Sequence, residues 1–254
     1  MTGPMLKLEN VHTHIGAYHI LHGVSFEVPK GKLTLLLGRN GAGKTTTLRT
    51  IMGLWKASHG RVIFDGKDIA SLPTPEIARS HISYVPENMS IFADLTVAEN
   101  MTLAARSAKS AKDIDSARLE WVFGCFPALK KFWLYPAGLL SGGQKQMLAI
   151  ARAMIEPSKL LLIDEPSKGL APAIIQNMVS AFQELKRTDT TILLVEQNFG
   201  FAKQLGDTVA VIDDGRIVHA GTMADLAKDE GLQQKLLGLS LSGHQSTATA
   251  RTGR

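Results

Sequence analysis

The sequence contains a single cysteine, Cys125, so an internal disulfide cannot form, which is consistent with a reducing compartment. Its apolar runs, such as 160–163 and 192–195, fall far short of the roughly 20 residues that a membrane-spanning helix needs. The first residues lack a charged segment followed by an apolar one, so we expect no export signal. Together these shortages predict a cytoplasmic protein in which no segment crosses a bilayer by itself.

The charge balance is basic, because 28 lysine and arginine residues exceed 23 aspartate and glutamate residues. Such a surplus suits nucleic acid, an anionic membrane surface or a polyphosphate ligand, but the sequence has no basic run to choose among them. Arg251 and Arg254 lie in the small, polar segment 242–254, which we expect to be disordered. With 44% hydrophobic residues, the 254-residue chain is long enough for one or two domains with a core.

Strand and helix patterns alternate along most of the chain. Residues 6–11 and 24–28 alternate between apolar and polar, as half-buried strands do. Continuous apolar runs predict strands that are buried on both faces of a parallel sheet. They lie at 33–37, 160–163, 192–195 and 209–212. Between 94 and about 138 the periodicity is helical, which indicates a separate helical subdomain. We therefore predict an α/β protein whose ligand lies beyond the carboxyl ends of the strands.

A glycine-rich stretch follows the first buried strand and precedes a helix-like segment. It reads Gly38-Arg39-Asn40-Gly41-Ala42-Gly43-Lys44-Thr45-Thr46 and fits G-x-x-x-x-G-K-[ST]. Its glycines let the backbone turn tightly, so successive N–H groups converge on a phosphate chain at a helix N-terminus. We expect Lys44 to neutralise the β- and γ-phosphates and the Thr45 hydroxyl to bind Mg²⁺. The strand before the stretch and the helix after it disfavour the alternative, a glycine turn without a ligand.

Two adjacent carboxylates, Asp164 and Glu165, close the apolar run 160–163. We therefore expect both at a strand end, where the phosphate loop also lies. Asp164 would hold Mg²⁺ directly or through water, and Glu165 would orient or deprotonate the water that attacks the γ-phosphate. The alternative is that two acids merely solvate the end of a strand, and the upstream phosphate loop favours the catalytic interpretation.

A third motif opens a predicted helix and reads Leu140-Ser141-Gly142-Gly143-Gln144. Ser141 and Gln144 have the spacing of a capping box, which is a purely structural device. A helix N-terminus with two glycines also offers open N–H groups and a positive dipole to phosphate oxygens, and the Ser141 hydroxyl adds a donor. Capping and ligand binding can both hold at different stages.

In this order the phosphate loop, the Leu-Ser-Gly-Gly-Gln segment and the run Leu160–Pro166 resemble the ATP-binding cassette (ABC) family of transporter ATPases. The resemblance covers Leu6 to about Leu241 and implies ATP and Mg²⁺ as cofactors. It implies one α/β P-loop NTPase domain, 1–241, with an N-terminal antiparallel β-subdomain and a helical subdomain inserted at about 88–157. In that family the signature 141–144 faces the γ-phosphate bound by a partner cassette, so a head-to-tail dimer encloses two ATP molecules.

Finer motifs resemble the subfamily that powers import of branched-chain amino acids and similar polar solutes. These are Val85-Pro86-Glu87, the run Glu165–Pro172 and the run Leu194–Asn198. Urea importers share several of them, so a urea or amide importer stays an alternative, and an exporter is less favoured. A nucleic-acid-associated cassette is disfavoured by the single phosphate loop and the lack of a long coiled-coil insertion, so we expect no nucleic-acid partner.

The resemblance also implies the protein's partners and location. Expected partners are transmembrane permease subunits and either a sister cassette or a second copy of the chain. A periplasmic solute-binding protein would act indirectly. The chain would lie peripherally on the inner face of the cell membrane.

Several residues depart from the usual cassette pattern. Gln197 stands where most cassettes carry a histidine that contacts the γ-phosphate, and glutamine has no proton to titrate near neutral pH. We hypothesise that it makes this subunit's phosphate loop the less active half of a dimer.

Ile15 falls where an aromatic residue usually stacks on adenine, and Tyr18 is close enough to substitute or is an ordinary aromatic. Glu87 is a candidate to approach Mg²⁺ or the attacking water, or is an exposed turn residue. Lys168 replaces a more usual apolar residue.

Overall fold

The computed structural model describes residues 3–105 and 108–238. The predicted disorder of 242–254 therefore lies outside the described residues. The strands are β1 (Leu6–Ile15), β2 (Tyr18–Val28), β3 (Leu33–Leu37), β4 (Ala57–Phe64), β5 (Lys67–Asp68), β6 (Ile82–Val85), β7 (Leu160–Asp164), β8 (Thr191–Glu196), β9 (Thr208–Asp213) and β10 (Arg216–Thr222). The α-helices are α1 (Lys44–Ile51), α2 (Thr74–Arg79), α3 (Val97–Ala104), α4 (Ser116–Cys125), α5 (Pro127–Lys131), α6 (Gly142–Met154), α7 (Pro172–Lys186), α8 (Phe199–Ala202), α9 (Met223–Lys228) and α10 (Glu230–Leu237).

The strands form two sheets. The larger has the order β10-β9-β3-β8-β7-β6, in which only the β10–β9 pair is antiparallel. The smaller is antiparallel, has the order β2-β1-β4-β5 and comes from the N-terminal part of the chain. The predicted α/β class and the N-terminal antiparallel sheet are confirmed.

The central strands of the larger sheet are buried along their whole length. Every residue of β3, β7 and β8 is buried, as the continuous apolar runs predicted, because helices and the second sheet cover both faces. These three strands are parallel neighbours, with Leu37 opposite Glu196 and Asp164 opposite Val195. Their carboxyl ends therefore meet at one edge, where the loops that follow them can share a ligand.

Helices α3 to α6 occupy the chain between β6 and β7: α3 to α5 lie in the part 94–138 for which helical periodicity was predicted, and α6 is the helix that the signature motif was predicted to open. Their buried side chains, such as Phe123 and Leu148, belong to the same apolar cluster as Leu35 and Leu194 of the larger sheet. The inserted helices thus pack on the core that supports the sheet edge. None of the helices in 3–105 and 108–238 has the length and apolar character of a membrane span.

Candidate functional site

The glycine-rich loop connects β3 to α1 in a conformation that depends on glycine. Gly41 and Gly43 have φ angles of 79° and 106°, in the left-handed region that side chains with a Cβ rarely adopt. A Cβ on Gly38 would lie 2.3 Å from the carbonyl oxygen of Ile212 in β9, so the loop must also be glycine there to pass the neighbouring strand. Helix α1 then begins at Lys44, and no side chain of the described residues caps it. Its first N–H groups are therefore available to an anion.

The loop and the residues facing it enclose a pocket at the carboxyl edge of the larger sheet. Predicted phosphate-binding residues and three acidic or basic side chains from other loops line it: Asn40, Gly41, Gly43, Lys44, Thr45, Thr46, Glu87, Glu165 and Lys168. Gly38, Arg39 and Asn40 also border a second pocket, which Gln197 and Leu237 complete. The fold thus brings the phosphate loop together with Glu165, Glu87 and Gln197.

Lys44 is the buried cation of the pocket. Its side chain is 4% exposed, and Nζ donates to the carbonyl oxygen of Arg39 at 2.9 Å and lies 3.1 Å from Glu165 Oε1. A buried ammonium needs such partners because desolvation is costly. Phosphate oxygens arriving in the loop would compete with Glu165 for this ammonium.

Asp164 is fully buried at the end of β7 and faces the start of α1. Thr45 Oγ1 donates to its Oδ1 at 3.2 Å, and the Tyr84 hydroxyl approaches its Oδ2 at 3.5 Å. Burial is the main cause that raises the pKa of Asp164 to about 6. A hydroxyl and a carboxylate beside an anion cradle are the hard oxygen donors that Mg²⁺ uses together with phosphate and water, so these residues fit that ion.

Glu165 follows in a strained backbone conformation. Its φ of 45° is unusual for a residue with a side chain and costs about 1–3 kcal/mol, and such strain clusters at active sites. Its Oε1 accepts from Gln197 Nε2 at 2.7 Å and faces Lys44, while its Oε2 lies 3.7 Å from Lys168 Nζ. Burial raises the pKa of Glu165, but the hydrogen bonds from Gln197 and Lys44 and both lysine charges outweigh it. Its pKa therefore lies below the usual value.

Gln197 connects the phosphate loop to Glu165. Its Nε2 donates to Asn40 Oδ1 at 2.6 Å as well as to Glu165. The glutamine therefore orients the carboxylate by hydrogen bonding alone, since its amide does not titrate near neutral pH.

Glu196, which sequence reasoning did not single out, organises the backbone of the site. This buried carboxylate accepts from the backbone N–H groups of Ser167, Gln197 and Asn198 at 2.9, 3.0 and 3.1 Å. Burial raises its pKa, against the effect of these hydrogen bonds. It therefore ties the loop after β7 to the loop after β8. The sequence signals that could have found it are its position directly after the apolar run 192–195 and its place within the motif Leu194–Asn198.

The signature segment lies outside the pocket lining of its own chain. Ser141 Oγ accepts from the Gln144 backbone N–H at 3.3 Å, and Gln144 Oε1 accepts from the Ser141 backbone N–H at 2.9 Å, so the capping box is formed. Ser141 and Gly142 are exposed, whereas Gly143 is buried against Ile174. An exposed helix N-terminus with an open glycine is available to a second molecule.

The two candidates for the adenine contact lie on the smaller sheet. Ile15 ends β1 and is directly opposite Tyr18 at the start of β2. Tyr18 is 76% exposed, and neither residue lines the phosphate pocket formed by the described residues. Their role in base stacking stays a prediction.

Comparisons with known proteins place this geometry in a family. The ABC transporter family profile matches residues 21–168. A high-affinity branched-chain amino acid transport ATP-binding protein of Pseudomonas aeruginosa, BraG, is 42% identical over 92% of this chain and 100% of its own length. A probable branched-chain amino acid transport ATP-binding protein of Archaeoglobus fulgidus, LivF, is 34% identical over 92% of this chain and 99% of its own.

A solved structure agrees with these relatives. The ADP conformation of an ATP-binding cassette from an ABC transporter superposes with a TM-score of 0.77 at 28% identity, over 92% of this chain and 99% of that one. The phosphate pocket described above is thus found in a chain that matches this family in both sequence and fold. The chain belongs to the ABC transporter family, as an ATP-binding subunit that hydrolyses ATP.

Proposed function

We propose that this ATPase drives uptake of branched-chain amino acids or a similar small polar solute. The observation that carries the proposal is the near full-length likeness to BraG, at 42% identity. Methionine import ATP-binding proteins are also similar, for example MetN of Histophilus somni at 34% identity, so amino acids are the favoured class of solute. A urea or amide importer is the alternative, because its cassettes share several of the same motifs.

The geometry supports a division of labour at the phosphate pocket. The loop N–H groups and Lys44 would bind the phosphate chain, and Thr45 and Asp164 would hold Mg²⁺, which would neutralise charge on the phosphate oxygens. When phosphate oxygens take Lys44, Glu165 keeps its hydrogen bond from Gln197 through Oε1. Its other oxygen, Oε2, lies 3.7 Å from Lys168 Nζ, beyond hydrogen-bond distance, and would accept a proton from the water that attacks the γ-phosphorus. Glu87 lines the same pocket and is a further candidate for the metal or the water.

The signature segment completes the site of an opposite protomer. Residues Ser141 to Gln144 do not line their own pocket, and a Cβ on Gly142 would have no heavy atom of the described residues within 4 Å, apart from its chain neighbours and the backbone of its own helix. A γ-phosphate bound by a sister cassette or by a second copy would meet the open N–H groups at the start of α6.

Gly142→Asp tests this pairing without disturbing the isolated subunit. An aspartate in the first turn of α6 is favourable to the helix dipole and meets no neighbour, so folding and ATP binding should be retained. A negative charge facing the opposite γ-phosphate should lower turnover of the assembled pair by about 100-fold. Steady-state hydrolysis is measured beside Gly142→Asn, a neutral variant of nearly equal size. Equal turnover of the two variants would contradict the assignment.

Gln197 bears on which half of the pair is the more active. Because it orients Glu165 but has no titratable proton, we expect the homodimer to hydrolyse ATP about tenfold more slowly than a pair formed with a histidine-bearing sister cassette. The measurement is the steady-state rate of ATP hydrolysis of the homodimer and of the mixed pair at saturating ATP. A homodimer as fast as the mixed pair would contradict the hypothesis.

The remaining partners follow from transport. Transmembrane permease subunits would hold the chain at the inner face of the cell membrane, and a periplasmic solute-binding protein would deliver the solute. Copurification from membranes should recover the permeases, and the reconstituted complex should hydrolyse ATP faster with leucine, isoleucine or valine than without. Stimulation by urea or short amides alone would favour the alternative, and copurification with nucleic acid instead of permeases would refute import.

A further inference from the structure

Four ionisable side chains face one another around the phosphate pocket. Lys44 and Glu165 are buried at its floor, and Lys168 and Glu87 lie at its mouth, each partly exposed. Lys44 and Glu165 already have roles in binding and hydrolysis. At the mouth, Glu87 has been named as a candidate for the metal or the attacking water, whereas Lys168 has no role so far, although both border the space that phosphates would fill.

Lys168 bridges two carboxylates from different loops. Its Nζ is 2.5 Å from Glu87 Oε1, in the loop after β6, and 3.7 Å from Glu165 Oε2, in its own loop after β7. The hydrogen bond with Glu87 is the main cause that raises the pKa of Lys168, so its ammonium is charged at neutral pH. Glu87 is therefore neutralised by a lysine that lies 81 residues away in sequence.

The backbone that carries Lys168 is fixed on both sides. Its N–H donates to the carbonyl oxygen of Glu165 at 3.2 Å, and the N–H of the preceding Ser167 donates to the buried Glu196 at 2.9 Å. Gly169 follows with a φ of 70°, which turns the chain away from the pocket. The ammonium is thus attached to a well-defined turn, although the side chain is 56% exposed.

The ion pair between Lys168 and Glu87 changes the net charge that a nucleotide meets at the mouth of the pocket. A triphosphate carries several negative charges, and an unpaired carboxylate at the mouth of its pocket would repel them. Mg²⁺ offsets only part of that charge. Pairing with Lys168 removes the repulsion from Glu87 and turns its carboxylate toward the loop after β7.

We propose that Lys168 is a positioning residue for the nucleotide: it neutralises Glu87 and holds that carboxylate in an ion pair, so that the pocket accepts MgATP. The inference rests on the proposed function in one respect, that nucleotide phosphates occupy this pocket. Lys168 acts through Glu87. Without the lysine, the unpaired Glu87 carboxylate would repel the nucleotide phosphates and weaken their binding.

Removing the charge of Lys168 should therefore weaken binding, and removing the charge of Glu87 should restore it. We expect Lys168→Met to raise the dissociation constant for a nonhydrolysable MgATP analogue about tenfold, and to raise KM while kcat changes less than twofold. Lys168→Met combined with Glu87→Gln should bind within about twofold of the wild type, and Lys168→Arg should bind like the wild type. Equilibrium titration and steady-state kinetics on the full chain measure both quantities.

A matched control separates this effect from the loss of any exposed ion pair. Lys130 lies 2.8 Å from Glu120 on the inserted helices, and both side chains are exposed, so Lys130→Met should leave nucleotide affinity unchanged. Thermal unfolding of each variant verifies that it is folded.

The outcomes separate a failure of the inference about Lys168 from a failure of the assignment of this pocket to nucleotide phosphates. If Lys168→Met weakens binding and Glu87→Gln does not restore it, Lys168 acts on the phosphates directly and the inference is wrong. Unchanged nucleotide affinity in Lys168→Met would show that the ion pair between Lys168 and Glu87 does not affect binding, and this result would also overturn the inference. Lys44→Met, titrated in parallel, tests the pocket itself: if that variant also binds normally, the phosphate assignment fails, whatever Lys168 does.

Discussion

Glu165→Gln is expected to bind MgATP as the wild type does and to lower ATP turnover by about a thousandfold, since a positioned general base contributes roughly 10²–10⁴ in rate. The amide has the size of the carboxylate, and its oxygen can still accept the hydrogen bond from Gln197. It cannot accept the proton of the attacking water. The variant should therefore accumulate the ATP-bound pair, with kcat and kcat/KM falling together.

Two measurements make the result specific. Single-turnover hydrolysis separates the chemical step from product release, and equilibrium titration measures nucleotide affinity directly. Glu120→Gln is the control, because Glu120 is an exposed, ion-paired glutamate that does not line the pocket. Turnover of Glu165→Gln within a factor of ten of the wild type would remove Glu165 from the role of base and leave Glu87 as the next candidate.

The central strands of the fold could be predicted because their sequence is unambiguous. The runs at 160–163 and 192–195 are apolar throughout, the run 33–37 is interrupted by one threonine, and they became β7, β8 and β3. The full extent of β1 and β2 could not be predicted, because histidines interrupt their alternation. In the structure these rings pack on one another, with His14 and His19 stacked at 4.1 Å between centroids.

The C-terminal elements were also missed, for a related reason. Strand β10 is an edge strand with no buried residue, and α10 has none either, so neither shows a strong apolar period. Contacts with the rest of the protein hold them in place. Gly215, for example, has a φ of 67° and donates its N–H to the carbonyl oxygen of Ala42 beside the phosphate loop.

In the site, residues that belong to a short sequence motif could be predicted, whereas contacts between residues far apart in the sequence could not. Lys44, Thr45 and Asp164 were predictable because each belongs to a motif with a fixed spacing from a strand end. The pairing of Lys168 with Glu87 was not, since a salt bridge across 81 residues depends on the order of β6 and β7 in the sheet. The roles of all these site residues stay predictions, like those of Ile15, Tyr18 and the signature, because they concern nucleotide, metal and partner contacts.

Lys44→Met should abolish most nucleotide binding, raising the dissociation constant for MgATP about 100-fold, which corresponds to roughly 2.7 kcal/mol. The methionine keeps most of the apolar stem, so the change isolates the ammonium. The same substitution leaves Glu165 buried with only Gln197 and the more distant Lys168 as partners. Removing one partner of a buried ion pair costs about 3–5 kcal/mol, so we expect the free energy of unfolding to fall by about 2–3 kcal/mol after allowance for these remaining contacts.

Combining Lys44→Met with Glu165→Gln separates the two effects. The double variant no longer buries an uncompensated carboxylate, so most of the lost stability should return in chemical denaturation. Nucleotide affinity should stay low, because the phosphates still lack their buried cation. Lys130→Met serves as the control for loss of a lysine from the surface. If the double variant recovered affinity together with stability, Lys44 would act only as the counter-ion of Glu165, and the phosphate chain would be bound by the loop N–H groups alone.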